Sequence, residues 1–195
     1  FETFLRRVSD NGRRIKQGFD SNSIQGYVLK ADIKKYFDNM DHNVLIKILE
    51  KKIKDNDLVS LVRVILESFG EKGVPLGNYT SQFFANVYLN ELDYFVKHSL
   101  HAQCYIRYVD DFVILHKNKE VLSKYMLKIE EFLKSLNLEL HPDKSEIHAL
   151  RNGVGFLGYR VFSKYRLLRK RNLRYFFRKL RGYEAEMKEG LITKE

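Results

Sequence analysis

Cysteine is nearly absent from this chain of 195 residues, with Cys104 alone. One thiol closes no disulfide within a chain and leaves a cysteine-based zinc site short of ligands. Proline is scarce as well, with two, and the eleven glycines form no collagen-like or linker-like stretch. No apolar run reaches the roughly 18 residues of a membrane-spanning helix, and no segment reads as a signal peptide. These absences point away from secretion and membranes, toward a soluble protein of the cytoplasm. Acidic residues are missing from one long stretch: between Ile147 and Tyr183 there is no Asp or Glu.

That same stretch is rich in cations, among them Arg151, Arg160, Arg166, Arg169, Lys170, Arg171, Arg174, Arg178 and Arg181. A merely solvated face mixes signs, so a surface of one sign reads as phosphate-facing. The whole chain carries a net charge of +10, which favours a polyanionic partner, nucleic acid above all. Hydrophobic residues make up 44% of the chain, enough to build a core and exclude disorder as the default.

Periodicity predicts the elements. Phe4, Leu5 and Val8 predict a helix over 1–16, and 18–26 reads as a turn-rich connection. Tyr27 to Ile33 alternates, with Tyr27, Leu29, Ala31 and Ile33 on one face and Val28, Lys30 and Asp32 on the other, which is a strand ending on a carboxylate. Three amphipathic helices follow. The first uses Val44, Leu45, Ile48 and Leu49. The second uses Leu58, Leu61, Val62, Ile65, Leu66 and Phe69, with Asp57 as N-cap. The third begins near Ser81, after the loop Gly73 to Asn78. Cys104 to Leu115 is apolar on both sides of Asp110-Asp111, a hairpin with two acids at its tip. A fourth helix spans Leu122 to Leu136. Short strands are expected near 138–140, 147–150 and 156–162, and a last helix after Asn172 with Leu173, Phe176, Phe177 and Leu180 on its apolar face. Irregular alternation of strands and helices, with hairpins, gives an α+β class.

Asp32, Asp110 and Asp111 stand in apolar settings. Packed carboxylates must protonate, meet a base or bind a metal. Hard divalent cations such as Mg²⁺ take oxygen ligands of this kind, and two ions roughly 3.5–4 Å apart can serve phosphoryl transfer. Each acid taken singly is also compatible with an ordinary polar turn or strand end.

The order and spacing of the blocks change that balance. LKADIKKYFDNMDH (Leu29–His42), GVPLGNYTSQFFANVYLNELD (Gly73–Asp93) and YIRYVDDFVIL (Tyr105–Leu115) resemble three successive motifs of the reverse transcriptase family. LNLELHPDKSEI (Leu136–Ile147) and GFLGYRV (Gly155–Val161) resemble the element after the YxDD hairpin and the primer-grip hairpin. The resemblance implies the palm of a right-hand polymerase, a small antiparallel sheet packed against helices. It implies an RNA-directed DNA polymerase acting on an RNA template, a DNA primer and dNTP. Asp32, Asp110, Asp111 and the backbone carbonyl of Ile33 would hold two Mg²⁺ ions, with Mn²⁺ able to substitute. Phe37 would be an aromatic gate against a ribose 2′-hydroxyl. Leu76, Gly77, Gln82 and Tyr108 would lie at the nucleotide. Arg166, Arg169, Lys170, Arg171, Arg174 and Arg178 would follow the nucleic-acid backbone.

The resemblance also implies a segmentation: 1–26 leading into the palm, 27–163 the palm, and 164–195 the start of a basic thumb helix. The fingers region expected before the first motif is not recognisable, and the thumb reads as truncated. The loop reads PLG where group II intron enzymes usually read PQG. With GNYTSQ (Gly77–Gln82) and the tail Tyr165–Arg181, this looks like the enzymes of diversity-generating retroelements, which copy a template RNA with errors at adenines and work with a basic accessory protein. A group II intron maturase, a defence-associated reverse transcriptase and a non-catalytic RNA-binding scaffold of the same fold are the alternatives.

Overall fold

The computed structural model describes residues 1–9 and 25–188. The expected helix over 1–16 is seen as α1, Glu2–Ser9; its continuation and most of the 18–26 connection lie outside the described residues. The chain divides by compactness into two units, 26–149 and the pair of segments 1–25 and 150–195. Compactness thus cuts the chain near residue 150, whereas the sequence-based segmentation cuts it at 163/164.

The first unit is built round a four-stranded antiparallel sheet of β1 (Tyr27–Asp32), β2 (Tyr105–Tyr108), β3 (Asp111–His116) and β4 (Glu146–Ala149), in the order β2-β3-β1-β4. β1 is paired along both edges, and residues of both its faces are covered: Val28, Leu29 and Ala31 are all fully buried. Its register on β3 sets Tyr27 against His116 and, five residues on, Asp32 against Asp111. The expected strand near 138–140 is reduced to a single bridge between Ile33 and Leu140.

Helices α2 (Tyr36–Asn39), α3 (His42–Glu50), α4 (Asn56–Glu67), α5 (Tyr79–Tyr94) and α6 (Lys119–Ser135) complete this unit. α3 packs on α4 and α5, and α6 lies on β1, β3 and β4. Asp41 caps α3, accepting from Asn43 N at 2.8 Å and Val44 N at 3.1 Å. The cap of α4 is Asp55, which accepts from Asp57 N and Leu58 N. The expected cap, Asp57, is already inside the first turn, because the side chain that reaches the free N–H groups must come from an extended residue ahead of them. α5 starts at Tyr79, two residues before the expected Ser81, and ends in a π-helical turn, Phe95–Ser99. Tyr36 and Tyr88 are buried, and each donates its hydroxyl to a main-chain oxygen at 2.6 Å, Ala85 and Leu136 respectively. Buried phenols need such partners. The outer face of α4 departs from expectation, since Leu58 and Leu61 are exposed.

The second unit holds α1, a three-stranded antiparallel sheet of β5 (Val154–Phe156), β6 (Tyr159–Val161) and β7 (Arg166–Leu168), and α7 (Lys170–Lys188). Phe1 stacks toward Phe156 with ring centroids 5.5 Å apart, and Arg6 Nε donates to the Ser163 carbonyl at 3.0 Å. β7 was not foreseen; three residues inside a run of cations carry no readable period. α7 begins two residues before Asn172. Its apolar stripe is present, yet Leu173, Phe176, Phe177 and Leu180 are exposed and no α7 side chain is buried. A stripe is buried only where another element covers it, and none of the described residues does so. Among the described residues no helix is long and apolar enough to cross a membrane.

Candidate active site

Two of the acids meet at one end of the β1–β3 ladder, and the third follows in the adjoining hairpin tip. Asp32 and Asp111 are register partners, so their side chains leave the same face as cross-strand neighbours. Asp110 lies between β2 and β3 in the tip of the hairpin, after Val109, whose φ is +56°. A β-branched residue in left-handed backbone is strained, and such strain concentrates at functional sites. Burial raises the pKa of Asp110 above the ordinary carboxylate value, and the charge of Asp32 adds to the rise; its own backbone N–H and Lys144 oppose it. Asp110 thus feels the charge of Asp32 and of Lys144.

Two lysines answer the negative charge. Lys144 Nζ lies 3.3 Å from Oδ1 and 3.2 Å from Oδ2 of Asp32. Lys30 Nζ lies 3.7 Å from Oδ1 of Asp111, as its diagonal position on β1 allows. The segment carrying Lys144 is stitched to the end of β1: His141 N donates to the Asp32 carbonyl at 2.8 Å, and Lys34 N to the Glu139 carbonyl at 2.9 Å. Neither lysine was singled out from the sequence. Lys30 had a signal, a cation two residues before Asp32 in an apolar strand; Lys144 is separated from Asp32 by 112 residues and becomes relevant only in the fold.

The donor set fits a hard divalent cation, being carboxylate oxygen throughout. Among the described residues no three acidic, histidine or cysteine side chains are gathered round one point as a metal would gather them. Like charges repel, and here the ammonium groups of Lys144 and Lys30 supply the compensating charge.

The loop Gly73 to Asn78 is docked beside Phe37. Gly73 N donates to the Met40 carbonyl and Val74 N to the Phe37 carbonyl, both at 2.8 Å, and His42 Nε2 donates to the Gly73 carbonyl at 2.6 Å. Gly73 has φ +80°, and a Cβ there would stand 2.8 Å from the Asp38 carbonyl oxygen, so the close approach requires glycine. Phe37 is half-buried, edge-on to Tyr36 at 5.4 Å. Leu76 is 76% exposed and fills no gap in the core. Gly77, Gln82 and Tyr108 are exposed too, and Ile33 is buried.

The basic residues singled out in the sequence lie in the other unit. Arg166 is on β7, Arg169 follows it, and Lys170, Arg171, Arg174 and Arg178 occupy the first half of α7, all exposed. Arg171, Arg174 and Arg178 recur at helical spacing and, with Asn172 and Tyr175, line an open groove of about 800 Å³. Arg169 and Lys170 line a second groove of about 290 Å³ with Arg160 and Gly155.

A small antiparallel sheet presenting acids from a central strand and an adjoining hairpin tip, backed by helices, defines a polymerase palm. A sequence model of the family described as "Reverse transcriptase (RNA-dependent DNA polymerase)" matches residues 4–161. The chain belongs to the reverse transcriptase family. It is 27% identical to "Protein YkfC" of Escherichia coli K12 over 180 residues, covering 71% of this chain and 47% of that protein. It is 32% identical over 116 residues to "Group II intron-encoded protein LtrA" of Lactococcus lactis subsp. cremoris, covering 53% of this chain and 19% of that protein. The chain therefore spans less than half the length of these relatives. Among solved structures, the apo telomerase of Candida tropicalis shares the fold with a TM-score of 0.62 at 15% identity, over 83% of this chain and 34% of that one.

Proposed function

We propose that this chain is the catalytic palm of an RNA-directed DNA polymerase that extends a DNA primer along an RNA template. The observation that carries the reading is the pairing of Asp32 with Asp111 across the β1–β3 ladder, with Asp110 in the strained tip beside them, in a chain of the reverse transcriptase family. Asp32, Asp110, Asp111 and the Ile33 carbonyl would hold Mg²⁺ or Mn²⁺, which when bound supplies charge neutralisation at the attacking and leaving oxygens. The chain's own residues do the positioning. Phe37, held by the docked loop, excludes a 2′-hydroxyl. Leu76, Gly77, Gln82 and Tyr108 bound the space for the incoming dNTP. Arg166, Arg169, Lys170, Arg171, Arg174 and Arg178 follow the backbone of the RNA–DNA duplex.

The finer reading is a retroelement enzyme of the diversity-generating kind, acting in the cytoplasm with a basic accessory protein. PLG in place of PQG and the GNYTSQ stretch support it. The likeness to the intron-encoded LtrA favours a group II intron enzyme as the second reading. The test of the main proposal is primer extension by the full-length protein on an RNA template. Mg²⁺-dependent extension abolished by Asp110→Ala is expected; extension that survives the substitution would reject it. The spectrum of errors separates the two subgroups, since errors concentrated opposite adenine belong to the first.

A further inference from the structure

Arg107 is on β2, three residues before Asp110. Its side chain is 9% exposed, and its guanidinium is shared among three partners. Nε and Nη2 donate to the two carboxylate oxygens of Asp93 on α5, at 2.8 and 2.6 Å. Nη1 donates to the Asn86 side-chain oxygen, also on α5, at 3.3 Å and to the Val109 carbonyl at 2.9 Å. Tyr105 donates its hydroxyl to Asp93 as well, at 2.6 Å. The rigid fork of an arginine can hold a carboxylate with one edge while another N–H grips a carbonyl; the single ammonium of lysine cannot reproduce that plane.

The gripped carbonyl belongs to the one residue of the tip with φ +56°, immediately before Asp110. A valine persists there only if its surroundings hold it. We propose that Arg107, anchored by Asp93 and Asn86, is the positioning residue that holds the hairpin tip in its strained turn, so that Asp110 and Asp111 face Asp32 and bind divalent cations. The device rests on the proposed reading of those acids as metal ligands. Its grip sets cation affinity and turnover, and leaves nucleotide binding nearly untouched.

A plain ion pair joining β2 to α5 would also explain the Arg107–Asp93 distances, so the test must separate the two roles. Val109→Gly does so, because glycine takes the left-handed turn without strain and no longer needs the grip, while the ion pair is unaffected. The measurement is Mn²⁺ binding to the full-length protein by electron paramagnetic resonance, together with kcat and KM for dNTP. Arg107→Lys is expected to weaken Mn²⁺ binding about tenfold and to lower kcat, with KM for dNTP changed by less than about twofold. With Val109→Gly as the reference, adding Arg107→Lys should cost less than about threefold. Asn86→Leu loosens the same grip without touching the Arg107–Asp93 pair, and a smaller loss relieved by Val109→Gly is expected, which keeps the test standing if Arg107→Lys fails to fold. Unchanged Mn²⁺ binding in folded Arg107→Lys, or a loss undiminished by Val109→Gly, would overturn the proposal. Mn²⁺ binding in the unmodified protein that is indifferent to Asp110→Asn would overturn the metal reading itself.

Discussion

Replacing Lys144 by Met removes the cation that lies 3.2 Å from Asp32 and keeps much of the side-chain volume. Coulomb's law at that distance gives about 5 kcal/mol with an effective dielectric of about 20. Solvent reduces this strongly, because the Lys144 side chain is 54% exposed although Asp32 is only 18% exposed. Measured pairs of this kind contribute about 0.2–1 kcal/mol, and the covered carboxylate places this one near the upper end. Two effects of opposite sign follow. In chelator the fold should lose up to about 1 kcal/mol, a fall in Tm of roughly 2–4 °C for a protein of this size. Divalent binding should tighten by up to about fivefold, because Asp32 no longer exchanges one cation for another. The assay is thermal unfolding in EDTA and across a Mg²⁺ titration, for both proteins. A lower starting Tm and a larger Mg²⁺-induced rise are expected in Lys144→Met. Equal curves, or a smaller Mg²⁺ response, would refute the view that Lys144 stands in for the metal's charge.

The exposed cations of α7, and Arg169 just before it, should bind nucleic acid in a salt-dependent way: replacing Arg169, Arg171 and Arg174 by Gln should lower the slope of log affinity against log salt by roughly 0.7–0.9 for each lost phosphate contact, checked by fluorescence anisotropy with an RNA–DNA duplex. Leu76, exposed within the docked loop, should admit a glutamine without strain, and Leu76→Gln in the full-length protein should raise fidelity several-fold, mostly opposite template adenine, as read from an error spectrum on a defined RNA. Asp110 is harder to ionise in the fold than in the unfolded chain, chiefly through burial. The folded state therefore holds its proton longer, and in chelator this group's contribution to stability falls as pH rises from the ordinary 3.8 through the raised value. Asp110→Asn should flatten that part of a Tm-against-pH curve.

The acids were visible because they interrupt apolar strands, but only the order and spacing of the blocks around them made a candidate site. Period-2 alternation located β1, and the apolar runs flanking Asp110-Asp111 located the hairpin, so the acids could be put at strand ends before any register was known. What was missing was the register, which alone makes Asp32 and Asp111 neighbours. The same limit hid the charges around them. Arg107 sits in an otherwise apolar strand, a visible oddity, but its partners Asp93 and Asn86 come from α5, and no local pattern connects them. Caps and faces failed for different reasons. Two aspartates two residues apart, Asp55 and Asp57, compete for one N-cap, and only the backbone conformation of Asp55 decides. The stripe on α7 has the right period, yet periodicity specifies a face and not the element that covers it.

The central claim is that Asp32, Asp110 and Asp111 jointly hold the cations of nucleotidyl transfer. It is tested most directly by a structure of the full-length protein with an RNA–DNA primer–template, a non-hydrolysable dNTP analogue and Mn²⁺, with the metal located by its anomalous scattering. The account predicts two peaks roughly 3.5–4 Å apart between the three carboxylates, with the Lys144 ammonium displaced from Asp32. Mn²⁺ bound away from these acids, with Lys144 still against Asp32 while the analogue is in place, would contradict it.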